Sequence, residues 1–247
     1  MEPLTDGLQV DVDARGEAKP FISVVIPALN EEAAIESVVR GAPREIADEV
    51  IVVDNGSDDL TGERARNAGA RVVREPQRGY GRACLAGIAS LAPESRIVVF
   101  LDGDGSDCPE QMWRLVEPII NGTHDFVIGS RTRGNREPGS LNLQQVFAGR
   151  AAGLLMQALY GVRYTDMGPF RAIGRDALER LGMCEQTYGW NLEMQMLAAR
   201  AGLRILEAPV DHRRRAGGVS KVSGAMSGTI LAGARILVTA ARIVLER

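Results

Sequence analysis

Ile97-Val98-Val99-Phe100-Leu101-Asp102-Gly103-Asp104 is the stretch that decides how this chain folds. Five apolar residues without alternation read as a strand covered on both faces, as strands of parallel sheets are. The run ends in two carboxylates one residue apart. A parallel strand delivers such groups to its carboxyl end, the edge at which open α/β sheets take their ligands. Carboxylates in D-x-D spacing offer hard oxygen donors, suited to Mg²⁺ or Mn²⁺ held against a diphosphate. D-x-D alone is common, so the flanking sequence has to carry the reading.

Upstream, Ile22 to Pro27 reads as a strand stopped by proline, and Asn30-Glu31-Glu32 as a helix start with Asn as N-cap and acids at the positive end. A second strand runs from Glu49 to Asp54, followed by the turn-rich Asn55 to Asp59 and a helix from Thr61 to Ala68. Ala70 to Arg74 is a shorter strand and Gly81 to Leu91 a helix. Downstream of the central strand, the pattern gives a helix from Pro109 to Ile120 and a strand from Asp125 to Arg131. Residues 132–145, with Gly134, Pro138 and Gly139, read as a mobile loop, and Ala148 to Tyr160 as an apolar helix. Then come a strand at Phe170 to Ile173, helices at Arg175 to Leu181 and Asn191 to Ala201, and a strand from Arg204 to Pro209. This alternation predicts an α/β fold, a mostly parallel sheet with helices on both faces.

The net charge of −3 is carried by the first twenty residues, where Glu2, Asp6, Asp11, Asp13 and Glu17 face only Arg15 and Lys19. Residues 1–19 read as a disordered acidic tail. The balanced remainder and an aromatic content of 4% argue against a nucleic-acid partner. Cys84, Cys108 and Cys184 are odd in number and lack C-x-x-C spacing, so no disulfide framework is expected. The acidic N-terminus is no signal peptide and no apolar run approaches a membrane span. The expected location is cytoplasmic.

Read together, the landmarks resemble the inverting glycosyltransferases of family 2, whose Rossmann-like nucleotide-binding fold is called GT-A. Val24-Val25-Ile26-Pro27-Ala28-Leu29-Asn30-Glu31-Glu32 is similar to that family's opening motif, and Val53-Asp54-Asn55-Gly56-Ser57 with Asp59 and Thr61 to its second. Asp102-Gly103-Asp104 is its D-x-D. Gly129-Ser130-Arg131, the segment Asp166 to Arg171, and Arg215 with Gly218, Ser220 and Lys221 resemble the branch that glycosylates polyprenyl phosphates. The likeness spans roughly residues 21 to 224, taken as one GT-A domain over 20–224, ahead of a C-terminal helix over 225–247.

The resemblance implies a nucleotide-sugar site from Pro27, Asn30, Glu31, Asp54, Asp59, Asp102 and Gly103, with Asp102 and Asp104 holding Mg²⁺ or Mn²⁺. The metal's task is to neutralise the departing nucleoside diphosphate. Asp54 at a strand end can accept hydrogen bonds from a ribose or base edge, while Asp54 and Asp59 serve equally as turn formers or caps. Where one familiar pattern continues with Gln and then His-Pro-Pro, this chain has Ser106-Asp107-Cys108-Pro109, which leaves the third metal ligand open.

Arg131, Arg171, Arg215, Ser220 and Lys221 are the candidates for an acceptor phosphate, which needs a guanidinium fork or an ammonium to hold it. Arg131 also suits a core-edge acid, and Arg213-Arg214-Arg215 also reads as a solvated run, although Gly217-Gly218 favours an anion-binding nest. Asn191 reads as a helix cap, with Glu193 in the following first turn. Glu193 is either a dipole-compensating acid or, for a hydroxyl acceptor, the general base. A phosphate acceptor needs no base. Asp104, Arg131 and Glu193 form the candidate catalytic set.

Gly79 to Cys84 falls short of G-x-G-x-x-G and does not follow the first strand, so NAD binding is not expected; the segment reads as the substrate-facing start of a helix. His124 and His212 are too far apart in sequence for a zinc pair. Ile230, Leu231, Ala234, Leu237, Val238, Ala241, Val244 and Leu245 share one helical face. That face suits the domain itself, a second subunit, or the membrane interface that a lipid-linked acceptor requires. The expected activity is metal-dependent, inverting transfer from a UDP-glucose or GDP-mannose type donor to a polyprenyl phosphate. The alternatives are transfer to a hydroxyl with Glu193 as base, a sugar-1-phosphate nucleotidyltransferase, and a non-catalytic nucleotide-sugar-binding module.

Overall fold

The computed structural model describes residues 19–141, 143–217 and 238–245. Among the described residues, seven strands form one sheet: β1 (Phe21–Ala28), β2 (Glu49–Asp54), β3 (Arg71–Arg74), β4 (Ser95–Phe100), β5 (Phe126–Ser130), β6 (Arg171–Gly174) and β7 (Ile205–Pro209), in the order β3-β2-β1-β4-β6-β5-β7. Only β6 runs against its neighbours, β4 and β5; the other pairings are parallel. The helices are α1 (Ile35–Gly41), α2 (Thr61–Asn67), α3 (Tyr80–Ala89), α4 (Trp113–Ile120), α5 (Leu143–Tyr160), α6 (Arg175–Leu181) and α7 (Trp190–Arg200). A short 3₁₀ turn, Pro109–Gln111, precedes α4.

The unbroken apolar runs have a simple cause. In β4, Val98 and Phe100 enter the core beneath α3, α5, α6 and α7, while Ile97 and Val99, with Leu101 just past the strand, enter the core beneath α1 and α4. Successive side chains point to opposite faces, so a strand with helices on both sides needs an apolar residue at every position. β1 follows the same rule, with Val25 on one side and Val24 and Ile26 on the other. The chain leaves β1 for β2 and β3 on one side, then crosses to β4 on the other. The gap between β1 and β4 is therefore a switch point, where ligands bind open α/β sheets.

Three local expectations are corrected. Pro27 does not end β1; it pairs in register with Val53, one residue before the strand closes at Ala28. Asn30 is not a helix cap. It sits in the left-handed region at φ 52°, which Asn tolerates, and α1 becomes regular only at Ile35. The loop expected over 132–145 ends early, because α5 begins at Leu143. The acidic tail, Ser220, Lys221 and most of the C-terminal segment lie outside the described residues; 238–245 are helical. Among the described residues, no helix is long and apolar enough to cross a membrane.

Candidate active site at the carboxyl edge of the sheet

The loops after β1 and β2 brace each other. The Asn30 amide donates to Ser57 Oγ (3.0 Å) and its Oδ1 accepts the Asp58 amide (2.9 Å). The Glu31 amide donates to Thr61 Oγ1 at 2.8 Å, and that hydroxyl in turn donates to Asp59. Burial opposes charge on Asp59, but hydrogen bonds from Thr61 and Glu32 outweigh it and hold the carboxyl below its ordinary range. Asp59 is thus a loop brace. Asp54 closes β2 with one oxygen on the Ser57 amide (2.9 Å). Asn55, buried beside it, donates to the carbonyls of Glu75 and Gln77 and accepts the Gly79 amide (2.7 Å), tying the β3–α3 loop to β2.

Beyond β4, the acidic loop turns sharply at Gly105, φ 78°. Tyr80 donates its hydroxyl to Asp102 Oδ1 at 3.0 Å, and the Asp102 amide donates to Asp107 Oδ2 at 3.0 Å. Asp104 Oδ1 accepts the Ser106 amide (2.8 Å) and hydroxyl (2.6 Å), leaving Oδ2 to Arg215 Nη1 at 2.9 Å. Arg215 also reaches Glu31 Oε1 at 2.6 Å, so a single guanidinium links the donor-side loop to the D-x-D. Desolvation, then the charges of Asp104 and Asp107, push Asp102 well above the carboxylate range. Asp107 is raised to about 7, chiefly by desolvation. Facing it, His212 is lowered to about 4 by burial and by Arg131. Asp107 Oδ1 and His212 Nδ1 lie 3.8 Å apart, both buried and neither hydrogen-bonded among the described residues.

Clustered carboxylates of this kind suit a hard divalent cation, whose charge relieves their mutual repulsion. Among the described residues, no three His, Cys, Asp or Glu side chains are grouped to hold a metal. Asp102 and Asp104 would supply only part of such a coordination shell, the rest being left to phosphate oxygens and water, a usual arrangement for Mg²⁺.

On the far side of β4, Arg131 and Asp166 form a forked pair, Nε to Oδ2 and Nη2 to Oδ1, each at 2.8 Å. Burial disfavours both charges, yet each holds its partner ionised: Arg131 is raised and Asp166 lowered. Arg131 has found the acid that its sequence context left open. Arg171 is not exposed for an acceptor. Wholly buried, it donates to the carbonyls of Gly168 and Asn191 and lies 5.9 Å from the Phe126 ring, and burial draws it down to about 10. Asn191 is no cap either, since α7 begins one residue earlier. Glu193, 1% exposed, accepts the Cys184 and Glu185 amides (3.1 and 2.8 Å) and pairs with Arg242 of the C-terminal helix. Its carboxylate is occupied in joining α7 to that helix.

The Arg213-Arg214-Arg215 run is not plain solvated surface. Arg213 pairs with Glu110, Arg214 with the Pro138 carbonyl at 2.6 Å, and Arg215 with Asp104 and Glu31. Main-chain bonds from Arg213 to Ser106 and from Ala216 to Asp104 lay this segment along the acidic loop. The start of α3 is closed by the carbonyls of Gln186 and Thr187, so only Tyr80 of that segment is shown reaching the D-x-D. Tyr80, Asp107 and His212 are site residues the sequence did not single out as a group.

The family model for glycosyl transferase family 2 matches residues 23–182. A dolichyl-phosphate hexose transferase of Haloferax volcanii is 38% identical over 79% of this chain and 84% of its own length. An undecaprenyl-phosphate mannosyltransferase of Micrococcus luteus is 33% identical, covering 84% of this chain and 89% of the relative. Glucosyl-3-phosphoglycerate synthase from Mycobacterium tuberculosis, solved with Mn²⁺ and UDP-glucose, superposes with a TM-score of 0.70 at 27% identity, over 92% of this chain and 79% of that one. The chain belongs to glycosyl transferase family 2 and is a glycosyltransferase of GT-A fold.

Proposed function

We propose that this enzyme transfers a hexose, with inversion, from a nucleotide sugar to a polyprenyl phosphate. The observation that carries the reading is the meeting of Asp102 and Asp104 with the cationic 213–215 segment at one sheet edge. It is supported by the two relatives whose names specify lipid-phosphate acceptors.

Asp54, Asn30 and Glu31 line the donor side, and Asp102 and Asp104 would hold Mg²⁺ or Mn²⁺. Such a cation, when bound, offsets charge on the departing diphosphate. Arg215, no longer needed by Asp104, is then a cation beside the acceptor phosphate. A phosphate oxygen forms the new bond to the anomeric carbon as the bond to the diphosphate breaks on the opposite face, turning an α-linked donor into a β-linked product. No proton has to be removed from an acceptor already anionic at neutral pH. The UDP-glucose held by the synthase favours a glucosyl donor, whereas the Micrococcus relative favours mannose.

The test combines purified protein, Mn²⁺, radiolabelled nucleotide sugars and a short-chain polyprenyl phosphate. Label entering the organic phase, and lost in Asp104→Ala, supports the proposal and identifies the donor. Donor binding without lipid labelling favours the second reading, transfer to a small soluble acceptor. That reading draws on the synthase structures that contain phosphoglyceric acid.

A further inference from the structure

Helix α5 carries apolar residues on its outer face as well as on its inner one. Its inner face is well used: Ala152 and Met156 enter the core. Gly153 packs so tightly that an added Cβ would meet the Tyr164 carbonyl at 2.1 Å. The outer face holds Ala151, Leu154, Leu155 and Ala158, all exposed, with Leu154 at 67%. These positions are spaced i, i+3, i+4, i+7, one continuous stripe on a helix surface, where a solvent-facing side is ordinarily polar.

Charge sets the stripe apart further. Between Glu137 and Asp166 the chain has no acid at all, and its charged residues there are Arg150 and Arg163, both exposed. Helical residues 238–245 enter the same core cluster through Ala240 and Ile243, and expose Val238 and Leu245. That segment too belongs to a stretch without acids, from His212 to Leu245. An overall acidic chain thus keeps two acid-free elements on one face of its sheet, each with bare aliphatic side chains.

We propose that the outer face of α5 docks this enzyme on an anionic lipid bilayer, with Leu154 and Leu155 entering the interface and Arg150 and Arg163 on the headgroups. Aliphatic residues flanked by long cationic side chains suit that boundary, because the stems lie along the apolar layer while the guanidinium groups stay with phosphate. A second copy suits it less. An isologous pair brings the same patch against itself, and this patch has arginines but no acid to meet them. The inference rests on the lipid-phosphate reading for its purpose. A Cβ added at Gly149 of α5 would lie 3.6 Å from Asp166 Cα, so the docking helix runs beside the Arg131–Asp166 side of the site.

The experiment is flotation of the full chain with vesicles of equal parts phosphatidylcholine and phosphatidylglycerol, or of phosphatidylcholine alone. Flotation with the anionic vesicles, abolished in Leu154→Glu/Leu155→Glu and weakened about tenfold or more in Arg150→Gln/Arg163→Gln, is the expected result. Circular dichroism and melting checks keep the result tied to the surface, since the altered residues are exposed. Absence of flotation by the unaltered chain, or flotation indifferent to the leucine change, overturns the proposal. So does a dimer in sedimentation that the leucine change dissolves. Detergent-solubilised polyprenyl phosphate separates the two readings. Label transfer there without vesicle binding sinks the docking surface alone, whereas vesicle binding without label transfer under any condition leaves the surface and removes the acceptor.

Discussion

Arg215 Nη1 lies 2.9 Å from Oδ2 of Asp104, the carboxylate oxygen that the D-x-D would offer to a metal. The other carboxylate oxygen is taken by Ser106. A guanidinium therefore stands where a divalent cation would pair, and the same guanidinium is held by Glu31 from the donor-side loop. A cation bound through Oδ2 would compete with it.

This competition is measurable. Arg215→Ala removes a partly exposed ion pair worth about 1 kcal/mol. Mn²⁺ binding to the nucleotide-free protein is expected to tighten by about fivefold, read by calorimetry or by the free-Mn²⁺ resonance signal. Turnover is expected to fall in the same variant, because the acceptor loses a cation. If metal affinity instead weakened, Arg215 would be assembling the site and not occupying it.

A second relationship sets the acid limit of the fold. Asp166 is buried against Arg131, and its carboxyl is lowered because that guanidinium outweighs the cost of burial. A depressed folded pKa means that the unfolded chain binds the proton more readily. The stabilisation is complete above the unfolded carboxylate value of 3.8 and is lost as pH falls through the lower folded value. Asp166→Asn strands a buried cation and is expected to cost about 3 kcal/mol near neutral pH. Denaturant titrations at neutral pH and near pH 3 should show the gap between the two proteins closing with acid. A constant gap would mean that Asp166 acts through shape and hydrogen bonds alone.

Much of this was legible from residue order, for physical reasons. β4 and β1 announce themselves because both sheet faces are covered, which leaves no room for polar alternation. Asp102 and Asp104 follow from where β4 ends. The failures have one source: a partner distant in sequence decides the residue's role. Asn30 is as good in the left-handed region as at a cap, and Asp58 across the neighbouring loop selects between them. Arg171 reads as a ligand for phosphate until burial shows both faces of its fork on main-chain carbonyls. Asp107 and His212 meet across more than a hundred residues, and nothing local to either forecasts the other. Asn55 shows the converse case. Its amide nitrogen donates to two carbonyls, so an aspartate at that position would not serve this loop.

Glu193 separates the two acceptor readings most directly. Its oxygens hold the Cys184 and Glu185 amides and Arg242, so its charge has a structural task already. Gln at this position keeps the shape and part of the hydrogen bonding but removes the nearer of the two carboxylates at Arg242, leaving Glu185 at 3.9 Å. The expected loss is about 2 kcal/mol, discounted because Arg242 is partly exposed, or a drop of about 4–8 °C in melting temperature. Transfer to a phosphate needs no base, so turnover at a temperature below melting should stay within about threefold, since a factor of ten requires 1.4 kcal/mol in the barrier. A general base behaves differently: its removal lowers kcat by about 10²–10⁴ without requiring any change in melting. Measuring kcat and melting temperature on the same Glu193→Gln preparation therefore assigns the residue. Lost stability with retained turnover makes it the bracket between α7 and the C-terminal helix. Lost turnover with unchanged melting makes it the base of a hydroxyl transferase.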